Sequence, residues 1–207
     1  MSPESQVAEA LARAEREAAH FVGRSLRHRL GTAGMLRVLA SVAWARMQGE
    51  PWKPLGPAPT GDERDRISRR QIGDVVLLDR AVTALAGADV AREIAREAIL
   101  AGALPFLDAL IPSLPAVRLA EAAEALTRCF FNAEGRTLQA GDDSFRFEVS
   151  RCRFVELLGR VGAAHLAPLF CEADRAFFDS RSRPIRLTRT RTLADGAASC
   201  DFQFTLA

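Results

Sequence analysis

The chain has 207 residues, 48% of them hydrophobic and 26% charged, enough apolar material for one domain with a substantial core or for two small ones. Lys plus Arg is 28 and Asp plus Glu is 26, so the formal net charge is only +2, and that balance argues for neither nucleic acid nor a membrane surface as partner. The most apolar stretch, residues 98–111, is too short to cross a bilayer and contains Pro105 and Asp108.

Residues 3–29 carry an apolar stripe (Val7, Leu11, Ala14, Ala18, Val22 and Leu26) that predicts a helix, with Ser2 and Pro3 as its cap and first turn. His20 and His28 fall in its basic half and read as surface residues. Gly31 interrupts the pattern, and residues 33–47 resume as a second, more apolar helix. Residues 49–65, "GEPWKPLGPAPTGDERD", hold four prolines and three glycines and predict an irregular connection, with a lid over a site as the lesser alternative. Helices follow over residues 66–85 and 90–104, the second capped by Asp89 and bent or ended by Pro105. Another is expected over 115–130, with Cys129 buried among Leu126, Phe130 and Phe131.

The character changes after Asn132. "GRTLQAGDD" reads as a turn-rich connection, and residues 144–149 alternate as a half-buried strand. A short helix is expected over 152–158, ended by Gly159, and a longer one over 164–178 whose regular part starts near Leu169 because of Pro168. Residues 185–189 and 200–206 predict two further strands, joined as a hairpin through the Asp-Gly turn at 194–197. The expected fold is α+β: a mainly helical N-terminal two thirds, then a small antiparallel three-stranded sheet with two helices. We read one domain over 1–207, with N-terminal helices over 1–48, an irregular loop over 49–65, a helical core over 66–132 and an α+β region over 144–206.

Any chemistry is expected in the last third, which holds Cys152, Cys171 and Cys200. No basic segment followed by an apolar run opens the chain, so we expect a cytoplasmic protein in which the four cysteines are free thiols or ligands rather than disulfides. Cys171 and Asp174 share a helix face, and a thiol near a helix start is more easily ionised, so Cys171 is a candidate nucleophile; the alternative is a core cysteine packed with Leu169 and Phe170. Cys200 falls on the apolar face of its strand and Asp201 on the polar face, where Asp201 meets solvent, a cleft or Arg189. No phosphate loop, HExxH, Gly-x-Ser-x-Gly or CxxC signature is present. Our expectation is that no cofactor is used. The alternative is zinc or iron held by Cys152, Cys171 and Cys200, with Asp174 or His165.

"FRFEVSRCRFVELLGRVGAAHLAPLFCEADRAFF" (residues 145–178) and "IRLTRTRTLADGAASCDFQF" (185–204) resemble the L-2-amino-thiazoline-4-carboxylic acid hydrolase family. The second block is the more specific, through Arg189 and Thr190, the run Thr192, Leu193 and Ala194, Gly196, and the run Cys200, Asp201 and Phe202. The first corresponds at Cys152, Gly159, Cys171 and Asp174. The resemblance implies a hydrolase that opens a small cyclic amidine or thiazoline carboxylate at a non-peptide C–N bond, on the route to L-cysteine. That reaction needs a nucleophile or water at the C=N carbon, proton delivery to the leaving atom and an anchor for the carboxylate. Cys171 or Cys200 can attack, Asp174 or Asp201 can move protons, and Arg189 can anchor the acid, with Thr190 and Thr192 beside it. The expected partner is a small carboxylate-bearing molecule. The competing reading is a small-molecule binding protein that keeps the scaffold without catalysis, its pocket enclosed by the apolar helices between Ala33 and Leu126.

Overall fold

The computed structural model describes residues 3–110, 119, 127, 132–179 and 185–206. The helix expected over 115–130, and Cys129 with it, lies almost wholly outside them.

Helix α1 spans Pro3–Met47 and is bent at Gly31, where φ is +68° and ψ 176°. Only glycine adopts that backbone without strain, so the residue that breaks the sequence pattern also turns the chain. Helix α2 (Glu63–Ala86) starts at Asp62, whose side chain accepts the Asp65 N–H at 2.9 Å. In helix α3 (Ala88–Leu110) Asp89 lies in the first turn rather than at the expected cap, and Pro105 lies inside the helix, which excludes an end there but not a bend. Both halves of α1 pack on α2 and α3, with Leu26, Val38, Leu78, Val82 and Ile94 at the centre. None of the described helices is long and apolar enough to cross a membrane.

The irregular stretch between α1 and α2 is docked, not loose. Arg69 donates to Asp65 at 2.5 Å and to the Gly56 carbonyl at 2.6 Å, and its guanidinium stacks 5.3 Å from the Trp52 ring centre.

The sheet has four antiparallel strands in the order β1-β2-β4-β3: β1 Ala133–Ala140, β2 Ser144–Cys152, β3 Ile185–Thr188 and β4 Cys200–Leu206. Strand β1 corrects the reading of "GRTLQAGDD" as a connection. It is an exposed edge strand with no apolar alternation, so the usual sequence signal is missing. A bulge falls beside Gly135, where a β-carbon would stand 2.4 Å from the Glu148 carbonyl oxygen.

Cys152 closes β2 and directly precedes helix α4 (Arg153–Arg160). After a short 3-10 turn over Ala164–Leu166, helix α5 runs Ala167–Phe178, with Pro168 in its first turn. One face of the sheet carries Phe145, Phe147, Val149, Phe202 and Phe204, and Phe177 and Phe178 of α5 pack on it. Phe204 is fully buried, with ring centres 5.8 Å from Phe145 and 5.1 Å from Phe178. Such a side chain stabilises by about 2–3 kcal/mol through burial. This face seats α5 and brings the last strand beneath it.

Candidate active site

Between α1, α2, α3, α5 and the sheet lies one chamber of about 340 Å³. Cys152, Cys171, Asp174, Arg189 and Cys200 all line it. They reach it from four places: the end of β2, two positions one turn apart on α5, the residue after β3, and the start of β4.

Arg189 sits at the centre of this group. Its side chain is only 3% exposed. One terminal nitrogen donates to Asp174 Oδ2 at 3.3 Å and the other to the Cys171 carbonyl at 2.7 Å. The guanidinium lies 4.8 Å from the centre of the Phe202 ring. Its Nε is buried with no partner. A buried N–H without an acceptor is costly, and the residue that carries it is one of those lining the chamber. Arg189 therefore pairs with Asp174 and not with Asp201.

Asp174 is deep in the protein, and the quarter of its side-chain surface that is free belongs to a residue lining the chamber. Burial pushes its carboxyl from the ordinary 3.8 up to about 6, and the Arg189 charge only partly opposes the rise. With a pKa of about 6 it is mostly ionised at pH 7 but keeps a protonated fraction of roughly one tenth. Burial pushes the Cys171 thiol up to about 12; Arg189 opposes this and Asp174 adds to it. Cys171 gains nothing from the expected helix start, because α5 begins at Ala167 and Cys171 lies beyond its first turn. Cys152 and Cys200 are also raised by burial. Backbone amides of Val155 and Phe154 act against this at Cys152, and the Leu193 N–H, 3.1 Å from Sγ, does so at Cys200. All three thiols are protonated at neutral pH.

Asp201, Thr190 and Thr192 do not line the chamber. Asp201 accepts the Thr190 N–H at 3.0 Å, the Thr190 hydroxyl at 2.6 Å and the Arg191 N–H at 2.8 Å. Burial works to raise this carboxyl, but the Thr190 hydroxyl and the backbone amides outweigh it and hold it below the ordinary range. The Thr192 hydroxyl accepts the Asp195 N–H at 3.1 Å and caps the short turn at Leu193–Asp195, which Gly196 closes at φ +86°. These residues shape the loop that delivers Arg189. His165 is also elsewhere, 2.9 Å from Asp79. Residues 49–62 do not border the chamber, so the docked loop is not its lid. Among the described residues, no group of three or more His, Cys, Asp or Glu side chains is placed to hold a metal ion.

Of the rest of the lining, the sequence places Leu11 and Val22 on an apolar helix stripe and Phe170 beside Cys171, without joining them in one pocket. Leu11, Val22, Ile99, Phe106, Phe154 and Phe170 make most of it apolar. Gln71 Oε1 is buried there without a partner. On the α1–α2 side stand two ion pairs, Glu15–Arg70 and Arg46–Asp74, each at 2.6 Å. No local pattern marks these residues, because only the docking of α1 on α2 brings them to one wall.

No curated protein and no solved structure matches the chain. The family described as L-2-amino-thiazoline-4-carboxylic acid hydrolase matches residues 65–204, about two thirds of the chain. The matched span runs from the start of α2 to β4 and includes Cys152, Cys171, Asp174, Arg189 and Cys200, while α1 lies outside it. This chain belongs to the L-2-amino-thiazoline-4-carboxylic acid hydrolase family.

Proposed function

We propose that this protein is a hydrolase acting on a carbon–nitrogen bond other than a peptide bond, and that it opens a small cyclic amidine or thiazoline bearing a carboxylate. The observation that carries the reading is Arg189. It is a nearly buried cation whose Nε–H has no acceptor, beside a carboxyl held near pKa 6, at the end of a chamber. The family name supports the reaction class.

In this reading the substrate carboxylate accepts the Arg189 Nε–H. Water adds across the C=N bond: its oxygen bonds to carbon, and one proton passes through Asp174 to the ring nitrogen. Asp174 then takes the proton of the new hydroxyl and returns it to the same nitrogen. The C=O bond forms as the C–N bond breaks, and the nitrogen departs as an amine. A carboxyl with a pKa of about 6 suits both transfers. A thiol at about 12 is a poor source of thiolate, so the reading assigns the attack to water.

Purified protein should convert L-2-amino-thiazoline-4-carboxylate, or a related cyclic amidine carboxylate, to a product heavier by one water. Asp174→Asn should abolish this and Cys171→Ala should keep it. No turnover across such a panel by folded, metal-replete protein would overturn the proposal. The apolar lining favours a second reading, a binding protein without catalysis, which ligand binding with no turnover would select.

A further inference from the structure

Most of the chamber is unsuited to a small polar ring. Its volume of about 340 Å³ equals the share of roughly eleven liquid waters and falls within the range of pockets that enclose drug-sized ligands. Its charged groups come from two different sets of elements. Arg189 and Asp174 stand at the sheet, and the Glu15–Arg70 and Arg46–Asp74 pairs stand on the α1–α2 side. All four side chains of those two pairs are at least 40% exposed, and Leu39 beside them is 44% exposed, so the chamber reaches solvent there. The other walls are apolar, through Leu11, Val22, Ile99, Phe106, Phe154 and Phe170. Ordered water needs two to four polar partners, which such walls do not offer.

We infer that the acid anchored by Arg189 carries a long alkyl or aryl body, which fills the chamber between α1, α2 and α3 and points toward the α1–α2 opening. The inference rests on the assignment of Arg189 as carboxylate anchor. It adds what the rest of the molecule must be. The orphaned Nε–H accounts for one polar head and the walls account for one apolar tail, so the ligand class is an amphipathic acid. For the proposed reaction, this means a thiazoline-4-carboxylate with an alkyl or aryl substituent on the ring carbon that water attacks.

The test uses full-length protein, calorimetry and two ligand series: 2-alkyl-thiazoline-4-carboxylates from methyl to decyl, and straight-chain alkyl carboxylates of matching length. Affinity should rise roughly fourfold per added methylene until the chamber is full. Ala18→Leu and Ala103→Leu, each filling the chamber from a different helix, should shorten the best chain and leave the methyl compound unaffected. Affinity that is flat with chain length, or indifferent to both filling variants, would overturn the inference. An alkyl alcohol that binds as well as its acid would overturn the placement of the head at Arg189. Ring opening is followed in the same samples by mass. Chain-dependent binding without ring opening keeps the inference and removes the hydrolase reading. Turnover of the methyl compound with no chain dependence does the reverse.

Discussion

Asp174→Asn separates the two effects that act on the carboxyl beside Arg189. Burial disfavours its charge and the guanidinium favours it, and the balance places the folded-state pKa at about 6 against an ordinary 3.8. Between these values the folded chain binds more protons than the unfolded chain. Stability contributed by this group is therefore present at low pH and is lost as pH rises through about 6. At roughly 1.4 kcal/mol per pH unit, the loss is about 3 kcal/mol. Asparagine has no charge to desolvate and escapes that loss. The other carboxylates are the same in both proteins and cancel. The unfolding free energy of the variant minus that of the wild type should therefore rise by about 3 kcal/mol between about pH 4 and about pH 8. Urea unfolding of both proteins at fixed ionic strength measures it. A difference that stays flat or falls with pH would refute the reasoning. It would mean that Arg189, at 3.3 Å, outweighs desolvation and that Asp174 is an ordinary ion-paired carboxylate.

The same site and its surroundings make further expectations. If Asp174 is the base, kcat/KM should rise with pH through about 6; Arg189→Gln should move that limb upward and raise KM about ten- to a hundredfold, read from a pH–rate profile. A Cys171 thiol near 12 leaves about 10⁻⁵ of it ionised at neutral pH, so Cys171 should be alkylated far more slowly than a free cysteine, as time-resolved peptide mapping will show; rapid labelling would contradict the burial argument. Gly135→Ala should cost about 1–3 kcal/mol because its β-carbon collides with the Glu148 carbonyl, and an unchanged melting temperature would count against the bulge. Gln71→Leu should stabilise the ligand-free protein by about 1 kcal/mol, since it removes a buried oxygen without a partner; a fall in stability would show that the oxygen is satisfied.

Much of the architecture was determined by the sequence itself, because it rests on local rules. Apolar spacing marks α1 and α2, Gly31 marks the bend, and the alternation around Phe145 and Phe202 marks two strands and which of their side chains are buried. The same rule overlooked β1, whose residues are exposed on both faces, and stopped α3 at residue 104, short of its end at Leu110. The site divides in the same way. Cys171 and Asp174 share a helix face by spacing alone, and Cys200 falls on the apolar side of its strand by parity. Only the tertiary structure decided that Arg189 reaches Asp174 instead of Asp201, since the choice depends on how α5 lies across the sheet. Only it decided that Thr190, Thr192 and Asp201 brace a loop while Cys152 joins the chamber. That all three thiols are raised follows from burial, and burial is a property of packing that no run of neighbouring residues contains. The chamber itself exists because α1, from outside the family match, closes over residues that lie within it.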